Sequence, residues 1–183
     1  MDLPPTSPSS SPSPARSAPL VALRLYVIRH GKAERNSATG EDEDRKLKPR
    51  GERQAKFIGD KLAKEKRVPE VLLHSPVLRA DQTAKAIAAT AGCKHIEEPA
   101  LATDEPVRGI AALIEQNRHH GVLAIVGHNP TLESLCVLLA PAQLKGKGIE
   151  LRTGECIVID IPESKPLTAG AMIARWRLDD DGD

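Results

Sequence analysis

Three short segments hold most of the side chains that could act on an anion. They are Arg29-His30-Gly31, His74-Ser75-Pro76 with Arg79 three residues on, and Gly127-His128-Asn129-Pro130. Guanidinium forks stay charged and match tetrahedral oxyanions bidentately. Imidazole serves near neutral pH either as a neutral nucleophile or as a charged donor. Two arginines and two histidines around one point would therefore suit a phosphoryl group. Gly31 and Gly127, beside the two histidines, would let backbone approach the ligand closely. A lone histidine at a strand end is usually a rim residue, and a lone arginine near a helix start is usually surface. Their coincidence is what points to a shared site, and it depends on the elements that carry them.

LVALRLYVI (20–28) is a continuous apolar run with branched residues, bounded by Gly31, and reads as a buried strand. Lys32 to Lys48, with its EDEDRK cluster, reads as a solvated loop; a mobile lid over a site is the alternative. Pro49 to Lys66 is helical, with Ala55, Ile58 and Leu62 at helical spacing. VPEVLLHS is a second strand, and Pro76 opens a second helix running to about Ala91. A short strand is expected near Lys94 to Glu97, a helix from Pro106 to about Arg118, a strong buried strand in GVLAIVGH, and a helix from Pro130 through TLESLCVLLA. ECIVIDIP and AMIARWRL read as a closing hairpin. Strands alternating with helices predict an α/β fold, a three-layer α/β/α sandwich with a mainly parallel sheet; the hairpin makes the sheet mixed, with at least one antiparallel edge strand. Ligands of such sheets bind beyond the carboxyl ends of the strands. Those ends are where the three segments lie, and the helices opening at Pro76 and Pro130 would add backbone donors and positive dipole ends.

Composition narrows the function. A length of 183 residues suits one domain with a proper core. The net charge of +1 makes no electrostatic case for nucleic acid or an anionic membrane, so an anion site must come from local charges. The only rings besides histidine are Tyr26, Phe57 and Trp176, too scattered for single-strand stacking. Three cysteines without a C-x-x-C pair indicate a reducing compartment and neither a disulfide frame nor a zinc site. No apolar run reaches the ~18 residues of a membrane span. Residues 1–19 are Pro/Ser-rich and read as a disordered tail; a transit segment is the rival reading, with Arg16 its thin support. Without an apolar stretch in Met1 to Leu20, a signal peptide is not expected, and the protein is expected to be cytoplasmic. Residues 20–178 form the expected domain and 179–183 an acidic tail.

RHGKAE (29–34), SPVLRADQTA (75–84) and VGHNPTLE (126–133) resemble, in order and spacing, the three signatures of the histidine phosphatase superfamily, the phosphoglycerate-mutase-like fold. DRKLKPRGERQA (44–55) is similar to the stretch following the first signature in small SixA-type phosphohistidine phosphatases. The resemblance covers roughly Leu23 to Trp176. It implies His30 as a nucleophile that is transiently phosphorylated, Arg29 and Arg79 as phosphate clamps, and His128 as a second, protonated imidazole donating to a phosphoryl oxygen. It also implies Asn36 as a further phosphate contact. No metal or organic cofactor is implied.

A phosphate monoester leaves poorly without a general acid. The insertion that supplies a glutamate in the mutase branch has no counterpart in this short chain. Asp104 and Glu105 are the acids to nominate, with ordinary helix-start chemistry as the competing reading. Imidazole can leave phosphohistidine already protonated, which favours protein phosphohistidine as substrate. The rival readings are a phosphomonoesterase on a small metabolite and a non-catalytic module that binds a phosphorylated ligand. His74 is expected at the pocket rim without a role, and His95, His119 and His120 away from the site. Leu144 to Gly148 (LKGKG) reads as a flexible loop and Cys136 as core.

Overall fold

The computed structural model describes residues 21–178. The two expected tails, 1–19 and 179–183, lie outside the described residues. Six strands form one sheet in the order β3-β2-β4-β1-β5-β6. They are β1 (Val21–Arg29), β2 (Val71–His74), β3 (Lys94–Glu97), β4 (Val122–Gly127), β5 (Cys156–Pro162) and β6 (Ala171–Trp176). β1, β2, β3 and β4 run parallel. β5 runs antiparallel to β1, and β6 antiparallel to β5. The strand of opposite sense is thus β5, inside the sheet, whereas the edge strand β6 turns back to the common direction. The expected antiparallel edge strand is β6, which pairs antiparallel with β5; the hairpin attaches through its first strand, because the more apolar β5 takes the buried place beside β1.

Strand periodicity separates two cores. Leu23, Leu25 and Val27 of β1 face Ile110, Leu113 and Ile114 of α3 (Val107–Gln116) and Leu132, Leu135, Cys136 and Leu139 of α4 (Thr131–Leu139). The alternate residues Tyr26 and Ile28 face Ala55, Ile58 and Leu62 of α1 (Pro49–Lys64) and Ala80, Ala84 and Ile87 of α2 (Leu78–Ala91). Helices on both faces of a mixed sheet make the three layers. α2 begins two residues beyond Pro76, with Val77 at its cap in extended backbone. Among the described residues, no helix is long and apolar enough to cross a membrane.

Candidate active site

The carboxyl ends of β1, β2 and β4 open on one cavity of about 400 Å³, whose lining includes Arg29, His30, Asp42, Arg45, Arg79 and His128. β1 delivers the first two. Its end is pinned on both sides: the His30 N–H donates to the Gly127 carbonyl at 3.2 Å, and the Gly154 N–H donates to the His30 carbonyl at 2.9 Å. Beyond His30 the chain packs tightly on α1. A Cβ on Gly31 would lie 2.6 Å from the Gly51 carbonyl oxygen, and one on Gly51 would lie 2.2 Å from the Lys32 oxygen. Glycine at 31 thus serves backbone-to-backbone packing against a helix start, where close approach to a ligand was expected.

His30 is buried and held in one tautomer. Its Nδ1 lies 2.8 Å from the Gly31 carbonyl, which can only accept, so Nδ1 carries the hydrogen. Nε2 keeps its lone pair and receives the Arg79 Nε–H at 3.3 Å. Burial pushes the imidazole pKa down to about 3; the Gly31 carbonyl opposes this, and His128, Arg79 and Arg29 add to it. His30 is therefore neutral at pH 7, with its free nitrogen aimed at a guanidinium.

His128 follows β4, its ring centroid 5.0 Å from that of His30. Its Nε2 is 2.8 Å from the Ser75 hydroxyl, and its buried Nδ1 has no protein partner. Burial, then Arg79 and Arg29, lower its pKa to about 4. The imidazole expected to be protonated is thus neutral at pH 7, because two guanidiniums and a dry setting oppose its charge.

Arg79 sits in the first turn of α2, buried, and Thr83 ties that turn to the first segment: its hydroxyl donates to the Arg79 carbonyl at 2.6 Å and accepts the Gly31 N–H at 3.0 Å. The guanidinium also grips Asp42, donating to its carbonyl at 2.8 Å and pairing with its carboxylate at 3.0 Å. Asp42 is shared with Arg45, whose guanidinium lies 2.7 Å from the other carboxylate oxygen. Slight burial raises the Asp42 pKa, but Arg79 and Arg45 outweigh it, so the carboxyl is held below its usual range. Arg29 donates to the Leu151 carbonyl at 2.8 Å. The Nε atoms of Arg29 and Arg45 are buried with no protein partner. Three guanidiniums, of Arg29, Arg45 and Arg79, line the cavity and make it positive, as suits an oxyanion.

Similarity to known proteins agrees with this chemistry. Residues 25–103 match the model of the histidine phosphatase superfamily, branch 1. An uncharacterised protein of Picosynechococcus is 33% identical over 142 residues, spanning 72% of this chain and 86% of its own. The chain belongs to the histidine phosphatase superfamily. By family it is a phosphatase. Its fold is that of the SixA structures. The protein histidine phosphatase SixA complexed with tungstate superposes with a TM-score of 0.74 at 22% identity, over 84% of this chain and 96% of that one. SixA of Agrobacterium tumefaciens gives 0.71 at 24%, over 85% and 97%.

In this histidine phosphatase domain Arg29, His30, Arg79 and His128 come together, as the three segments suggest. Asn36 does not join them: it is exposed on the loop after β1 and outside the cavity lining. Asp104 and Glu105 are exposed just past Thr103, which does line the cavity, and neither carboxyl reaches the lining. Sequence reasoning missed Asp42 and Arg45. Their signal was an acid and a base three residues apart ahead of P-R-G, inside a charge cluster read as solvated loop. It also misplaced His74, which is buried behind Ser75 and not at the rim.

Proposed function

We propose that this phosphatase works through a phosphohistidine on His30 and acts on protein phosphohistidine. The supporting observation is the state of His30: neutral, fixed by the Gly31 carbonyl, with the Nε2 lone pair directed into the arginine cluster. A phosphoryl group seated between Arg29, Arg79 and Arg45 would take over the Arg79 Nε–H now donated to Nε2, freeing the nitrogen to attack phosphorus in line. The leaving group departs with its electron pair, and water then displaces His30 from phosphorus. The transition state is loose, so positioning and charge stabilisation carry most of the rate. A phosphoryl dianion beside His128 would offset the two guanidiniums and favour its protonation, letting it donate to a phosphoryl oxygen.

The acids present favour the substrate class. Among the described residues, Asp42 is the one carboxyl in the cavity lining, and two arginines hold it ionised. An ionised carboxylate cannot donate a proton to an alkoxide. Phosphohistidine needs no such donor, because its imidazole leaves protonated. SixA, with the same fold, is a protein histidine phosphatase.

Phosphate release from a phosphohistidine peptide and from p-nitrophenyl phosphate, with EDTA present, tests the reading. Wild type should release phosphate from both, faster from the peptide, and His30→Ala from neither. An active His30→Ala protein would sink the mechanism. A preference for small phosphate esters would replace the protein substrate with a metabolite, and no turnover by folded wild type would point to a binding module.

A further inference from the structure

A second group of ligand-type side chains converges behind the cavity, and the phosphatase chemistry does not use it. In the parallel pairing of β2 and β3, Leu72 lies opposite His95, so His74 is the diagonal neighbour of His95 on the same sheet face. That is the face covered by α2, whose first turn carries Asp81. The three side chains meet there, with ligand atoms all within 4.8 Å of one another.

Their donor atoms are prepared as a metal requires. The His74 Nδ1–H donates to the Ser75 carbonyl at 2.9 Å, which leaves the Nε2 lone pair free. A backbone carbonyl in this role is the usual outer partner of a metal-binding imidazole. His74 Nε2 lies 3.3 Å from His95 Nδ1 and 4.0 Å from Asp81 Oδ1. Asp81 Oδ2 is occupied by Lys85 at 2.7 Å, so Oδ1 is the oxygen on offer. Metal–nitrogen bonds of about 2.0–2.1 Å at tetrahedral angles place two ring nitrogens about 3.3 Å apart. The two histidines already have that spacing, and the carboxylate has to close by roughly 0.7 Å to reach the same edge length. His74 is buried while His95 is exposed, so the pair offers one anchored ligand and an entry path from solvent. A hydrogen bond between the rings would also account for the 3.3 Å contact, and the variants below tell the two apart.

We propose that His74, His95 and Asp81 bind one divalent transition-metal ion of the Zn²⁺ class, with solvent as the fourth ligand. Two imidazoles and one carboxylate suit that class better than Mg²⁺ or Ca²⁺. The ion would join β2, β3 and α2 next to Ser75, whose hydroxyl meets His128.

The full chain, stripped with a chelator that is then removed, should bind one equivalent of Zn²⁺ by calorimetry. Co²⁺ in its place should show the visible absorption of a tetrahedral site. His95→Ala and Asp81→Asn should each weaken Zn²⁺ binding about tenfold or more. His95 is exposed on an edge strand, so its removal leaves the fold intact, as circular dichroism would verify. His119→Ala should bind as wild type does, since His119 lies before β4 at the opposite end of the sheet. Failure of folded wild type to bind Zn²⁺, or wild-type affinity in either His95→Ala or Asp81→Asn, overturns the proposal.

Discussion

The floor of the cavity and the loop that borders it supply charges of the same kind in different ways. The floor residues His30, Arg79 and His128 are buried on strand ends and a helix start, each tied by backbone or by a buried hydroxyl. The loop is secured at its roots, where Ala33 bridges to Leu47 and the Leu47 N–H donates to Gln82. Its tip, the short helical turn Asp42–Asp44, is exposed; Asp42 pairs with Arg45 within the loop and reaches the floor through Arg79. Only the Asp42 side of these pairs is open to solvent, which screens it, while Arg79 is buried. On the proposed mechanism the floor is preorganised for a phosphoryl group, whereas the tip places on Arg79 a carboxylate that an incoming phosphate would have to displace.

If that contrast holds, floor substitutions abolish chemistry and loop substitutions tune binding. His30→Ala should cost about 10³-fold or more in kcat, measured as phosphate release, since no other group can take the nucleophile's place. Arg79→Ala should cost about 10²–10³-fold in kcat/KM, by analogy with loss of an oxyanion donor. An Arg79→Ala enzyme near wild-type rate would remove the arginine from the floor.

The neutral histidines make the floor sensitive to acid. His30 and His128 have native pKa values near 3 and 4, below the ~6.5 of the unfolded chain. Between those limits the unfolded chain binds more protons, so stability is complete above about pH 6.5 and declines as pH falls toward 4. From pH 7 to 5 each imidazole should contribute a loss of about 2 kcal/mol. Denaturant titrations at the two pH values should show a smaller decline in His30→Ala than in wild type; an equal decline would place a protonated His30 in the native site.

Loop effects should be smaller. Arg45→Ala should raise KM about tenfold with less effect on kcat, because it takes one guanidinium out of the cavity lining while His30, Arg79 and His128 stay in place. Asp42→Ala should tighten inhibition by inorganic phosphate about three- to fivefold by releasing Arg79. Weaker inhibition in that variant would make Asp42 a support for Arg79 and not its competitor.

The legible parts of the molecule share a physical cause. β1, β4, α1 and α4 could be read because their apolar spacing is local, and R-H-G, S-P-x-x-R and G-H-N-P because each motif sits at the end of one such element. Asp42 and Arg45 were hidden because a charged loop looks the same in sequence whether its tip meets solvent or an arginine. His74 and His95 were hidden because they belong to different strands, and their meeting follows from the β2–β3 register, to which no local pattern refers. Asn36 shows the reverse: its place in the chain suggested a contact, but the loop carries it into solvent.

By itself, then, the sequence determined the layers, the chain order of the motifs and the residue types able to hold and attack a phosphoryl group, since these follow from periodicity and intrinsic side-chain chemistry. Tertiary structure alone decided that His30 is neutral with Nε2 as its free nitrogen, that His128 is neutral too, and that Asp42 occupies Arg79. Those states depend on burial and on partners that range from Gly31 beside His30 to Arg79 49 residues away, and such fields exist only once the chain has folded.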